Sequence, residues 1–288
     1  MFIFLKALFK HFLDSDTFQK GAALAYYVAF SFLPAAVVLI SLAGLLYGQQ
    51  AASGEIYDQL STTLGPEAAK QIQGIIARQH VNHSSTLTGI LGFATLVLSA
   101  SGLFSQLHNA FNNIWGLKEK PRSGILKYLT KHLTAFAVLA GSFFLVLIST
   151  AANAFLIRHS NYLLSNQQEW YLYEHILSLT IFTLAFSLIF RLIGDAKVHW
   201  KVALLSGLFT SFLFLLGKTG IGLYIGKSHV SSTFGAASSL ALLMLWVYYL
   251  SQIIFLGASF VKVLADKLHL PIVPNADAVQ VEQRELEA

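Results

Sequence analysis

Apolar residues in this chain fall into long blocks separated by short polar segments. Six blocks are long enough to cross about 30 Å of hydrocarbon at a helical rise of about 1.5 Å per residue. They cover approximately residues 22–47, 87–104, 133–157, 174–193, 202–225 and 235–264. In the first four, charge is confined to the ends, at Glu174 and Arg191 of the fourth. Period-two alternation is absent, so the pattern does not predict a membrane β-barrel. It predicts an all-α, polytopic bundle of six transmembrane helices, residues 21–270. The second block is the shortest, and an amphipathic continuation into Gln106–Asn113 would lengthen it.

The segments around these blocks have patterns of their own. Residues 1–13 place Phe2, Leu5, Phe9, Phe12 and Leu13 on one helical face and Lys6 and Lys10 on another. The two lysines interrupt the apolar run, and no small-residue cleavage site follows, so it is not read as a signal peptide. Two readings stand: an interfacial helix on the cytoplasmic leaflet, spanning residues 1–20, or the frayed first helix of the bundle. The outer loop 48–86 has helical spacing broken at Gly65-Pro66, which suggests a small helical hairpin. Beyond Pro271 and Pro274 the chain is polar and acidic, and residues 271–288 are expected to form a flexible cytoplasmic tail.

Composition agrees with the block pattern. Of 288 residues, 11% are charged and 55% hydrophobic, against roughly 25% charged in an average soluble domain. An ordinary soluble enzyme and a disordered chain are both excluded. There is no cysteine, which removes disulfides, thiolate metal sites and cysteine nucleophiles. The net charge of +5 is explained by where the cations lie. Fourteen of the 19 fall on one side of the predicted membrane: Lys6, Lys10, Lys20, Lys118, Lys120, Arg122, Lys127, Lys131, Arg191, Lys197, Lys201, Lys262, Lys267 and Arg284. Lys70, Arg78, Arg158, Lys218 and Lys227 make up the remainder. This bias puts both termini in the cytoplasm of a multi-pass inner-membrane protein. No nucleic-acid partner is needed to account for the basic balance, and no nucleic-acid module is present.

Little in the chain points to catalysis. The acids lie almost entirely in loops and tails, and the ten histidines are scattered. His80 and His83 are the one close pair, without a carboxylate or third histidine beside them. No nucleophile elbow, phosphate-binding loop or zinc-protease motif occurs, so neither enzyme activity nor a cofactor is expected. Lys218 stands out instead, about seven residues or ~10 Å from the outer end of the fifth block. It either snorkels to the outer head groups or faces the bundle interior, where it would meet a lipid phosphate or another anion. Gly217, Gly220, Gly222 and Gly226 surround it. They allow close backbone approach, and Gly222 and Gly226 are read as small-residue helix packing. Pro34 removes a helical hydrogen bond and should kink the first block. Asn153, Ser251 and Gln252 place polar groups in the bundle, as interhelical hydrogen bonds or as the lining of a polar path.

Four segments together resemble the YihY/virulence factor BrkB family of bacterial inner-membrane proteins. They are GAALAYYVAFSFLPAAVVLI (21–40), SASGLFSQLHNAFNNIWGL (99–117), WKVALLSGLFTSFLFLLGKTGIGLYI (200–225) and FGAASSLALLMLWVYYLSQIIFLGASF (234–260). The resemblance covers nearly all of residues 15–265. It differs at Ser259, where Gly257-Ala258-Ser259 stands in place of the family's frequent Gly-Ala-Glu. The resemblance implies six membrane helices with both termini cytoplasmic. It also implies a role in envelope lipid handling or transport, with membrane lipids as partners. Membrane scaffolding, with a second copy or another envelope protein as partner, stands as the alternative. The family's older ribonuclease label is not supported by the residues.

Overall fold

The computed structural model describes residues 2–31, 101–120, 167–227, 236–276 and 278–281. Six helical stretches lie within them. They are α1 (Phe2–Asp14), α2 (residues 17–31), α3 (residues 101–114), α4 (Gln167–Leu192), α5 (Trp200–Lys227) and α6 (Ala236–Lys267). Four very short strands accompany them: β1 (Leu117–Glu119), β2 (Ala196–Lys197), β3 (Val273–Pro274) and β4 (Ala278–Gln280).

Three stretches of these helices are long and apolar enough to cross a membrane: His175–Leu192, Trp200–Gly217 and Leu243–Lys267. They coincide with the last three apolar blocks of the sequence. Of the first two blocks, only the helical residues 22–31 and 101–104 are described, and α3 does continue through Gln106–Asn113. The third block, the loop 48–86, Pro34, Asn153, His80 and His83 lie outside the described residues.

The chain divides into two compact units. One contains residues 1–20, 104–219 and 252–288, and its core is aromatic. Phe111, Trp115, Phe190 and Phe255 are fully buried. Phe111 lies with ring centroids 5.3 Å from Trp115 and 5.9 Å from Phe190. α4 and α5 pack closely because small residues meet there. A Cβ at Gly207 would sit 2.2 Å from Ser187 Oγ and 2.6 Å from the Thr183 carbonyl, so only glycine fits. Ser187 Oγ donates to the carbonyls of Thr183 at 2.6 Å and Ala203 at 3.1 Å. Phe209 of α5 stacks on Phe260 of α6 with centroids 4.3 Å apart.

α1 belongs to this unit. Its C-terminal carbonyls are satisfied by side chains, as a helix end away from solvent requires. Ser15 Oγ donates to His11 O at 2.7 Å and Thr17 Oγ1 to Phe12 O at 2.9 Å. Asp16 then turns the chain with φ at 51°, a left-handed conformation that Asp tolerates better than most residues.

Of the segment 271–288, the described residues 271–276 and 278–281 depart from the expectation of a flexible tail. β4 pairs antiparallel with β1, with Lys118 opposite Val279, and β3 pairs antiparallel with β2, with Lys197 opposite Val273. Gly116, at φ 67°, ends α3 and lets its carbonyl accept the Val281 N–H at 2.8 Å. Ile272 and Ala278 are buried. These apolar contacts and backbone hydrogen bonds outweigh the local polarity that suggested disorder.

In the second unit, residues 21–103 and 220–251, Tyr27 packs on Gly102, where a Cβ would lie 2.5 Å from its ring. Tyr26 sits 4.5 Å from Phe30, and Trp246 stacks near Tyr249 at 6.2 Å.

Candidate functional site, a buried histidine, asparagine and aspartate

The densest polar cluster among the described residues is in the first unit, where α3 meets the connection between α4 and α5. His108 and Asn112, four residues apart, occupy one face of α3. Asp195 comes from the connection. All three side chains are buried.

Asn112 holds Asp195 at two points. Its Nδ2 donates to Asp195 Oδ2 at 2.8 Å, and its Oδ1 accepts the Asp195 backbone N–H at 2.9 Å. His108 completes the group: Nε2 lies 2.8 Å from Asp195 Oδ2 and Nδ1 lies 2.6 Å from the Ile193 carbonyl. Nδ1–H donates to the Ile193 carbonyl, and Nε2 also lies 3.1 Å from Asn112 Nδ2, so the three side chains are in mutual contact. The Asp195 carbonyl in turn accepts the Asn275 N–H at 2.8 Å. One residue therefore ties together α3, the α4–α5 connection and the C-terminal segment.

Trp115 reinforces the junction. Its Nε1 donates to the Ala258 carbonyl of α6 at 3.0 Å. Its ring fills the space over Gly194, where a Cβ would be 2.2 Å away. His11 of α1 donates through Nε2 to the Ile114 carbonyl at 2.8 Å. Arg191 reaches the Val198 carbonyl and lies 4.4 Å from the centre of the Trp200 ring. With its partners in place, the cluster is a lock that fixes the connection. Both ring nitrogens of His108 are engaged within the cluster. Among the described residues there is also no group of three His, Asp or Glu side chains that could hold a metal ion.

The residues singled out in the sequence fall on other described elements or, for Pro34 and Asn153, outside the described residues. Lys218, Gly220, Gly222 and Gly226 are carried by α5, and Gly217 on the same helix is buried. Close glycine packing in the first unit is made by Gly207 and by Gly257, which faces Thr210 Oγ1 and the Phe190 ring. Ser251 Oγ bonds to Val247 O of its own helix at 2.7 Å. Gln252 Nε2 donates to Thr17 O at 3.3 Å, joining α6 to α2, while its Oε1 is buried without a partner among the described residues. Ser259 is fully buried, and its hydroxyl likewise has no partner among the described residues.

Sequence reading missed His108, Asn112 and Asp195. The available signal was a polar pair four residues apart on an otherwise buried helix face. Its partner lies 83 residues away from Asn112, beyond any local pattern.

The family profile described as virulence factor BrkB matches residues 8–280. The chain belongs to the virulence factor BrkB family. The BrkB match includes the cluster, the junction around Trp115 and both strand pairs. The chain is similar to a UPF0761 membrane protein of Saccharophagus degradans, 27% identical over 268 residues, covering 92% of this chain and 60% of that protein. A UPF0761 membrane protein of Stenotrophomonas maltophilia is 28% identical over 274 residues, covering 93% and 62% respectively. One from Psychrobacter is 27% identical over 266 residues, covering 89% and 47%. This BrkB-family chain thus spans about 60% of the first two relatives' lengths and less of the third. No solved structure matches it.

Proposed function

We propose that this BrkB-family membrane protein handles lipid in the bacterial inner membrane, without catalysing a reaction, as a transporter or flippase-like component. Its anion contact is Lys218. One observation carries this reading: between Lys201 and Lys227, Lys218 is the single charged residue of α5. By helical rise, it sits ~25 Å along the axis from Lys201 and ~14 Å from Lys227. A cation so far from both ends of an apolar helix is costly unless it meets a negative group or reaches the interface. A phospholipid phosphate supplies that negative group within the membrane itself. Both termini lie on the cytoplasmic side in this reading, which follows from the distribution of Lys and Arg.

The test is native mass spectrometry of protein purified from bacterial membranes. The wild type is expected to retain an anionic phospholipid above its bulk abundance, and Lys218→Ala to lose that excess. Equal retention by both proteins would overturn the proposed contact.

A further inference from the structure

α1 has three distinct faces, and one of them is an exposed apolar strip. The first packs into its unit. Leu8 and Phe12 are buried, the Phe4 ring meets Phe260 edge-on at 5.4 Å, and His11 bonds to Ile114 O. The second carries Leu5, Phe9 and Leu13 at four-residue intervals, 40%, 54% and 56% exposed. The third carries Lys6 and Lys10, one position on from Leu5 and Phe9, and both are exposed. Lys267 adds a further cation near the helix, with Nζ 5.0 Å from the centre of the Phe4 ring.

The sequence pattern placed Phe2, Leu5, Phe9, Phe12 and Leu13 on one face. The structure divides that set. Phe12 joins Leu8 against the protein, whereas Leu5, Phe9 and Leu13 remain outside. A basic strip lies directly beside these three residues. That pairing of acyl-compatible and phosphate-compatible strips on one helix is what an anionic bilayer surface accommodates.

We propose that α1 is a docked interfacial helix that binds the anionic cytoplasmic leaflet. Leu5, Phe9 and Leu13 enter the boundary between head groups and acyl chains, and the ammonium groups of Lys6 and Lys10 contact lipid phosphates. The protein-facing contacts hold the helix at fixed rotation, so only this strip can enter. Charge complementarity selects anionic phospholipid over zwitterionic lipid and over an apolar protein partner. This inference is independent of Lys218 and uses a different part of the chain.

The absence of cysteine makes a site-directed test clean. Full-length Phe9→Cys and Leu13→Cys proteins, each labelled with a polarity-sensitive fluorophore, are placed in detergent, phosphatidylcholine nanodiscs and nanodiscs containing phosphatidylglycerol. An Asp14→Cys probe reports the polar side. At positions 9 and 13, the proposal expects a blue shift, loss of iodide quenching and gain of quenching by acyl-chain nitroxides, greatest with phosphatidylglycerol. Lys6→Glu with Lys10→Glu should remove the preference for phosphatidylglycerol. Iodide quenching that is equal in detergent and both nanodiscs would overturn the proposal. Shielding that is already complete in detergent, and lost on dilution, would overturn it in favour of a second copy of the chain.

Discussion

Asn112 grips Asp195 through both its side chain and its backbone, at 2.8 and 2.9 Å, across 83 residues of sequence. This two-point hold, supplemented by His108, fixes the connection between α4 and α5 against α3. It also fixes the C-terminal segment, because the Asp195 carbonyl is bonded to the Asn275 amide.

Replacing Asn112 with Ala would leave a buried carboxylate oxygen with one donor fewer and the Asp195 N–H with none from this side chain. Unsatisfied buried polar groups cost about 1–3 kcal/mol each, so Asn112→Ala is expected to lose about 2–4 kcal/mol of stability. Thermal unfolding in detergent, measured beside Asn113→Ala on the exposed side of α3, checks this. Equal melting temperatures for the two variants would contradict the role given to Asn112.

Gly194→Ala tests the junction from its other side. The added methyl would overlap the Trp115 ring at 2.2 Å and push the indole off the Ala258 carbonyl. Overpacking of this kind costs about 1–3 kcal/mol. The expected result is a lower melting temperature with a shifted tryptophan emission. Trp115→Phe should cost less, because the smaller ring avoids a clash and gives up mainly one hydrogen bond and some packing.

The paired C-terminal strands predict slow amide exchange at Asn275, Ala278 and Val281, each of whose N–H groups is bonded to a backbone carbonyl. A free acidic tail would exchange all three rapidly. Hydrogen–deuterium exchange resolved to single residues separates the two outcomes.

Lys20 provides a pH-dependent prediction. Burial holds its ammonium below the ordinary lysine value, and the neighbouring Asp16 carboxylate only partly opposes this. Its Nζ donates to the Ser15 carbonyl at 2.6 Å. Between the lowered folded value and the ordinary one, the unfolded chain holds a proton that the folded chain has released. Stability should therefore rise with pH across that alkaline window. Lys20→Met should flatten the rise, and chemical unfolding across the window measures it.

How much was legible in the sequence follows from the range of each interaction. α4, α5 and α6 were readable because an apolar run of about 20 residues is a local property that any membrane helix must show. The strands were not, since two or three residues are too few to display alternation. Gly207 and Gly257 could be seen as small residues, but not as the points where Ser187 and Thr210 approach. The lock was hidden for a different reason. His108 and Asn112 become informative only once Asp195 is brought beside them, and one sequence carries no sign of that pairing. The division of α1 into packed and open apolar faces likewise depends on Phe260 and Ile114, which are remote in sequence.

The most direct test of lipid handling is a cryo-electron microscopy map of the full chain in nanodiscs containing phosphatidylglycerol. The account predicts ordered head-group density within hydrogen-bonding distance of Lys218 Nζ, absent from a matching map of Lys218→Ala. A Lys218 ammonium held by protein groups, with no lipid phosphate beside it in the wild-type map, would contradict it.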